Sequence, residues 1–517
     1  MGPEAVDPHP KGLPSATAAL PPNLSHDPAP EYLRYTLAQY HRSIERLIAL
    51  KWKYALVLAG LTVFSALAFT GFRPPATPFA AVLQWFTIAW LLPIPLLILG
   101  VVVFFGWMTV ARFRIVPSAA EPVNEPPLVI FQVTSTGVNV DTVLHTVRSV
   151  LHWTRLHPEL GYRTEAWAVI EEWGYAPNAR RFDALKDEGV RVLVTPVKYR
   201  TPRGTTRKGR ALQFAVEARR ALGVPRDRVW VYHQDDETAV GEDTVLGIDE
   251  FVRDHAHEKA LGCGIILYPQ HGGDLRPQQV QEFNRTKDDF RTIFTIASRH
   301  NVFSGFHGSH YIVRADVEEE TGWDVGPDMT SEDLIFENSV RRQHGPICHL
   351  LKGFAYEQAA LNWRDQLLQR RRWFQGWWRA VLRLPFSPQR RAAMSYSMIV
   401  WMAAVFSVAA MLSSWVAGFS SLLPWTGALA GFVWGSMVIG YHQGYVLHRA
   451  YLPPCTVSMP RIWANGVVGA LLDAIAPWYG TFTRRPRSFE VISKDQRAVP
   501  RAAPPSARPR APPTPSA

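Results

Sequence analysis

Long apolar segments arranged in two pairs restrict this chain more than any other feature. Residues 54–72 and 82–110 form one pair, and residues 396–417 and 422–447 form the other. Each run is long enough to cross a bilayer, which takes about 20 residues of helix. Pro93 and Pro95 lie inside the second run and predict a kink there rather than an end, since membrane helices tolerate proline. Between the pairs, residues 126–390 alternate strand and helix patterns. The expected architecture is an α/β domain inserted between transmembrane helix pairs, 54–110 and 395–447.

Charge supports that layout. Lys+Arg number 55 against 44 Asp+Glu, a formal net charge of +11. The excess does not call for nucleic acid, because much of it borders apolar runs: Arg372, Arg379, Arg383, Arg390 and Arg391 before one, and Arg484, Arg485 and Arg487 after another. Arg42, Arg46, Lys51 and Lys53 precede the first run, and Arg112 and Arg114 follow the second. Basic flanks stay on the cytoplasmic side, so both termini and the central domain are expected there, in a multi-pass protein of the cell membrane. The Pro/Ala-rich N-terminus has no basic segment followed by an apolar one and predicts no cleavable signal peptide. Residues 1–29 and 498–517 read as disordered tails and 484–497 as a cytoplasmic segment. Cys263, Cys348 and Cys455 are far apart and imply neither a disulfide framework nor a metal site.

Two segments are harder to assign. Residues 460–483 are apolar but contain Asp473 and Pro477, and a full crossing would place Arg484, Arg485 and Arg487 outside. A re-entrant or interfacial segment is expected. Within 30–53, Leu33, Leu37, Tyr40, Ile44 and Leu47 recur at helical spacing. This amphipathic helix could lie on the membrane or pack on the central domain.

In the central domain, 128–133, 166–170, 190–194 and 229–232 read as strands, and 140–151 and 208–221 as helices, a mostly parallel sheet. No Gly-rich phosphate loop follows the first strand, which argues against nicotinamide and P-loop enzymes. The strand from Val229 ends in Asp235, Asp236 and Glu237. Ligands bind at the carboxyl ends of strands in open α/β sheets, and hard oxygens there suit Mg²⁺ or Mn²⁺.

The motif order Glu171-Glu172, Lys208-Gly-Arg-Ala-Leu-Gln213, Asp235-Asp-Glu237, Ser331-Glu-Asp333 and Gln369-Arg-Arg-Arg-Trp373 resembles the family 2 glycosyltransferases, which include cellulose and hyaluronan synthases. Gly308-Ser-His-Tyr311, Leu368–Gly376 and Phe489–Asp495 extend the likeness toward the egghead-type β-1,4-mannosyltransferases. The likeness runs from about 128 to 495. It implies a GT-A (Rossmann-like) fold, a nucleotide-sugar donor and one displacement with inversion. By the same likeness, Asp235 and Glu237 match the metal-binding Asp-x-Asp, with Glu in the second place, and Asp333 matches the catalytic base, Glu332 standing beside it.

Donor contacts carried over in this way are Glu172 (with Glu171 equally placed), Lys208, Asp235, Gln369, Arg372 and Trp373. Gly308, Ser309, His310 and Trp373 are expected near the acceptor. His300, His307, His310, His344 and His349 fit no local zinc spacing, although His307 or His310 could touch the acceptor. Ser331 reads as a helix cap that fixes Asp333.

The resulting expectation is a membrane-bound inverting hexosyltransferase, using GDP-mannose or a UDP-hexose with a lipid-linked or glycolipid acceptor. A processive β-glycan synthase using UDP-glucose and a non-catalytic nucleotide-sugar-binding protein remain as alternatives. Product length separates the first two, and turnover excludes the third.

Overall fold

The computed structural model describes residues 30–68, 77–79, 81–82, 85, 112–117, 125–223, 225–269, 275–302, 307–327, 329, 331–417, 426–452 and 458–483. The expected tails, the 484–497 segment, Cys455 and nearly all of the 82–110 run fall outside them.

Eight strands form one sheet: β1 (Leu128–Ser135), β2 (Arg163–Glu171), β3 (Arg191–Thr195), β4 (Val229–Asp235), β5 (Ala239–Val240), β6 (Leu261–Leu267), β7 (Tyr311–Arg314) and β8 (Cys348–Tyr356), in the order β3-β2-β1-β4-β7-β6-β8-β5. Strand β1 is buried along its whole length because both faces are covered. Side chains alternate across a strand. Val129, Phe131 and Val133 accordingly join one core with Trp230 and Tyr232. Leu128 and Ile130 join the opposite core with Val229, Val231, Trp323 and Phe336. The helices Val140–Leu156 and Glu242–Asp254 cover the first face, and Arg207–Arg220 and Glu332–His344 the second. The α/β layering expected from sequence is present.

The sheet is mixed. Strand β7 runs antiparallel to both β4 and β6, and β5 runs antiparallel to β8, while β1, β2, β3 and β4 pair in parallel. The reversal at β7 has a functional consequence. Its first residue, Tyr311, pairs with His233 near the carboxyl end of β4, so residues 308–310 arrive beside Asp235.

The turn leaving β1 depends on glycine. Gly137 has φ +81°, and a Cβ there would stand 2.7 Å from Ile170 and 2.8 Å from the Gly174 backbone. Only glycine combines that conformation with such close approach.

The helix Leu37–Ala49 packs on the α/β domain, one of the two placements its amphipathic pattern allowed. Tyr40, Ile44 and Leu47 enter the first core, and the Tyr40 hydroxyl donates to the Phe113 carbonyl at 2.7 Å. Thr36 caps the helix by accepting from the Gln39 N–H at 3.3 Å.

The remaining apolar segments form the helices Lys51–Ala68, Pro388–Ala417, Thr426–Arg449 and Met459–Phe482. Among the described residues no single helix is long and apolar enough to cross a membrane. The bent pair Leu37–Ala49 and Lys51–Leu67, at 42°, meets that test together. Residues 460–483, expected as a re-entrant or interfacial segment, form one helix of 24 residues with Pro477 inside it. Asp473 on this helix accepts from the Arg370 guanidinium at 2.9 Å. Ile462 packs with Val280, Phe283 and Tyr441. Glycines allow the helix Thr426–Arg449 to close on its neighbours: a Cβ at Gly431 would lie 2.5 Å from the Leu61 carbonyl, and one at Gly444 would collide with the Phe283 carbonyl.

Candidate active site

Strand β4 ends at the carboxyl edge of the sheet and delivers Asp235 there. Three other segments converge on it. The helix Arg207–Arg220 brings Lys208 in its first turn, and the Lys208 ammonium pairs with the Asp235 carboxylate and donates to the Gly308 carbonyl at 2.6 Å. Gly308 lies at the centre. A Cβ placed on it would be 3.3 Å from Lys208 Nζ, 3.6 Å from Asp235 Oδ2 and 3.8 Å from Asp333 Oδ2. The helix Glu332–His344 supplies Asp333 in its first turn and is seated by Leu334 against Ala380 and Val381 of the helix Trp363–Arg383. Lys208, Asp235, Gly308 and Asp333, singled out by separate motifs, therefore meet at one point.

Asp236 faces elsewhere. Its carboxylate accepts from the Ser135 hydroxyl at 3.0 Å and its carbonyl from Thr146 at 2.8 Å, which ties the end of β4 to β1 and to the helix Val140–Leu156. Ser309 donates to Glu357, a buried carboxylate that also accepts from the Thr238 hydroxyl at 2.9 Å. Glu357 follows β8 as Asp235 closes β4. An apolar strand ending in an acid was the signal that could have identified it.

The electrostatics follow from many carboxylates in a small, dry space. Burial pushes the Asp235 carboxyl up despite Lys208, and Glu237 and Glu332 add to the rise. Burial and Glu237 push Asp236 well up, and burial with Glu237 and Asp235 raises Glu357. Burial and then Glu332 push Asp333 up to about 7. For Lys208, burial opposes the charge, but Asp235, Glu332 and Asp333 outweigh it and hold the ammonium above its usual value. Excess negative charge of this kind suits a divalent cation, and Asp235, Glu237 and Glu357 offer hard oxygens for one.

Several expected contacts are placed differently. Burial and backbone geometry remove His310 from acceptor contact: it is 0 % exposed, its Nδ1 lies 2.7 Å from the Tyr232 hydroxyl and its Nε2 3.3 Å from the Gly353 carbonyl. Burial pulls its pKa down to about 3. Ser331 occupies the helix N-cap position, but its side chain makes no capping bond.

Glu172 is exposed and accepts from the Val197 N–H at 2.6 Å, whereas Glu171 is buried and paired with Arg210 on the lysine-bearing helix. In the Gln369–Trp373 stretch two arginines are buried, Arg371, which stacks over Tyr479 at 5.2 Å, and Arg370. Arg370 pairs with Glu282 and Asp473 and stacks over Trp373 at 4.2 Å, with Gln369 accepting from it at 3.3 Å. Arg372, expected at the diphosphate, is only partly buried. A second guanidinium, Arg285, covers Trp373 at 4.7 Å and reaches His307 Nδ1 at 3.1 Å. His307 in turn pairs with Asp289 and immediately precedes Gly308. The tryptophan is thus linked to the reaction centre through Arg285 and His307, which carry no local motif.

Gly308 gives a direct test of this geometry. Gly308→Ala should leave thermal unfolding nearly unchanged, because the atom it meets is the end of a flexible lysine. The Lys208 ammonium must give by a few tenths of an ångström, and because a displacement near 1 Å costs about a hundredfold, turnover should fall by less than about tenfold.

Residues 230–472 match glycosyl transferase family group 2. The chain carries a family 2 glycosyltransferase domain. That match takes in β4 with Asp235, the Gly308 segment, Asp333 and the Gln369–Trp373 stretch. The glycosyltransferase is 26% identical over 328 residues to the β-1,4-mannosyltransferase bre-3 of Caenorhabditis briggsae, covering 60% of this chain and 68% of that one. It is 31% identical over 195 residues to the β-1,4-mannosyltransferase egh of Drosophila melanogaster, covering 36% of this chain and 40% of the other. Among solved structures it is similar to the mannosyltransferase PcManGT from Pyrobaculum calidifontis in complex with GDP-Man and Mn²⁺. That likeness has 14% identity and a TM-score of 0.44, covering 77% of this chain and 99% of that one.

Proposed function

We propose that this glycosyltransferase is membrane-bound and moves mannose from GDP-mannose to a lipid-linked or glycolipid acceptor, with inversion to a β-linkage. The observation that carries the proposal is the meeting of Asp333, Asp235 and Lys208 around Gly308. Asp333 takes the proton of an acceptor hydroxyl as that oxygen attacks the anomeric carbon. The bond from that carbon to the diphosphate oxygen breaks, and the nucleoside diphosphate leaves. Lys208 stands where it can offset part of the leaving group's charge. With one base and no nucleophile in the scheme, a single displacement follows.

Mg²⁺ or Mn²⁺ held by Asp235 and Glu237 would supply further charge neutralisation on the diphosphate. The mannosyl assignment is supported by the relatives, which are named β-1,4-mannosyltransferases.

A membrane location and a lipid acceptor are supported by apolar surface, and a cytoplasmic domain by the basic flanks of the apolar runs. Trp52, Leu56, Phe64 and Leu67 on one helix, and Val467, Ile475 and Phe482 on another, stay exposed. Apolar surface of this extent suits lipid.

The proposal fixes a pH dependence. Only the ionised Asp333 accepts a proton, and its carboxyl sits at about 7. The pH profile of kcat/KM should therefore rise through about 7 and level off above it, falling about tenfold per pH unit on the acid side. A profile flat from pH 5 to about 8 would contradict a working base raised to about 7. Donor choice is tested by titrating the purified full-length protein with GDP-mannose and UDP-glucose in the presence of Mn²⁺. Tighter binding of GDP-mannose is expected, and preference for UDP-glucose would overturn the donor assignment.

A further inference from the structure

The far end of the sheet carries a second group of metal-binding side chains, which the glycosyltransferase reaction does not use. Strand β8 has Glu357 just beyond its carboxyl end, in the active site, and His349 at its opposite end. There His349 meets His255, which ends the helix Glu242–Asp254, and Glu258 in the turn that follows. One donor atom from each of His255, Glu258 and His349 lies within 4.8 Å of the others. His255 Nδ1 pairs with Glu258 Oε1, and His349 Nε2 is 3.9 Å from the same oxygen.

The imidazoles of His255 and His349 stand 4.1 Å apart between centroids, and a third, His300, lies 4.8 Å from His349. His300 ends the helix Pro277–Arg299 in a left-handed conformation, φ +50° and ψ 37°, and its carbonyl accepts from the Cys348 N–H at 3.0 Å. A non-glycine residue in that conformation needs support from its surroundings. Here the backbone bond to β8 holds His300 next to His349. His255 and His349 are only 17% and 19% exposed, while Glu258 is 55% exposed, so the cluster is rooted in the domain and open on one side.

We propose that His255, His349 and Glu258, with His300 as a further imidazole, form a site for a borderline divalent cation of the zinc class. Imidazole nitrogen with one carboxylate selects Zn²⁺, Co²⁺, Ni²⁺ or Cu²⁺, whereas the all-oxygen set at Asp235 and Glu237 suits Mg²⁺ or Mn²⁺. The two sites therefore differ in donor chemistry and lie at opposite ends of β8. A cation here joins the ends of two helices to the start of β8 and stabilises the folded domain by mass action. The ligands come from separate segments, which is why no local histidine spacing betrays them in the sequence.

The test uses untagged, full-length protein in detergent, stripped by a chelator and titrated with Co²⁺ while visible absorption is followed. One equivalent of Co²⁺ should bind, be displaced by Zn²⁺, and resist excess Mg²⁺. The double variant His255→Ala/His349→Ala should weaken Co²⁺ binding at least about tenfold, the loss typical of a damaged ligand set. Asp235→Asn should leave it unchanged, which separates this site from the proposed donor cation. Undiminished binding in the double variant, or no Co²⁺ bound by the wild type, overturns the site. Should the double variant fail to fold, X-ray absorption of the zinc-loaded wild type decides. Imidazole scattering at about 2.0–2.1 Å supports the site, and an all-oxygen shell refutes it.

Discussion

Asp333→Asn should reduce sugar transfer by about 10²–10⁴-fold, the contribution expected of a positioned general base, while leaving donor affinity within about twofold. The substitution keeps the size and shape of the side chain and removes its ability to take a proton. Stability is not expected to suffer. The Asp333 carboxylate is held in a buried position beside Glu332, where burial and then that neighbour disfavour its charge. Removing the charge relieves the cost of burial and the repulsion of Glu332, which together outweigh the attraction of Lys208. Donor binding is expected to survive because Asp235 and Lys208 stay paired without Asp333. Single-turnover transfer measured alongside calorimetric donor titration checks both halves. A variant that transfers sugar at the wild-type rate would show that another group takes the proton.

Glu318→Ala should produce the largest loss of stability, about 3–5 kcal/mol, the cost of stranding one member of a buried ion pair. Glu318 is 0% exposed, and its carboxylate accepts from Arg219 at 2.6 Å and from the Trp323 indole at 2.7 Å. His233 of β4 lies 3.0 Å away. Deleting the carboxylate leaves the buried Arg219 with only the longer contact to Glu319, 3.5 Å, as its remaining acidic partner in this network. Burial opposes the carboxylate's charge, but Arg219 and His233 outweigh it and hold the carboxyl down at about 2, below its ordinary 4.5. A carboxyl lowered on folding stabilises the protein fully above its unfolded value, and that gain is lost as pH falls through its folded value. The wild type should thus lose this contribution between about pH 4.5 and 2, and the variant should show a flatter acid limb there. Thermal unfolding of both proteins across that range measures the difference. Glu318→Gln, which keeps an oxygen for the Trp323 indole, should lose less.

Legibility in the sequence followed the physics of each signal. Strands β1, β2 and β4 were readable because burial writes a continuous apolar run, the partly buried edge strand β3 because of its short Val/Leu run, and Asp235 because the β4 run ends in acids. Strand β7 was missed. Its described length is only Tyr311–Arg314, too short to show a period, and its antiparallel direction is set by pairing with β4 and β6. That reversed strand nevertheless places Gly308 against Lys208, so the motif could be recognised from sequence while its position could not.

The Gln369–Trp373 stretch shows another limit. Three consecutive arginines look alike in sequence, and the rotation of the helix turns Arg370 to Glu282 and Asp473 and Arg371 to Tyr479, leaving Arg372 only partly buried. His310 is 0% exposed and turned to the Tyr232 hydroxyl because it lies in the bend before β7 with φ +55°, a backbone turn that proximity to Gly308 in sequence does not reveal. Asp473 looked like an obstacle to an apolar helix until its partner, Arg370, was in view.

The central claim is tested most directly by turnover of full-length protein in detergent with native-membrane lipid extract and Mn²⁺. GDP-mannose and UDP-glucose are offered separately, nucleoside diphosphate release is followed, and the lipids are analysed by mass spectrometry. The account predicts GDP release with one hexose added to a lipid, lost in Asp333→Asn. Polymer formed from UDP-glucose, or no release of diphosphate from either donor, would contradict it.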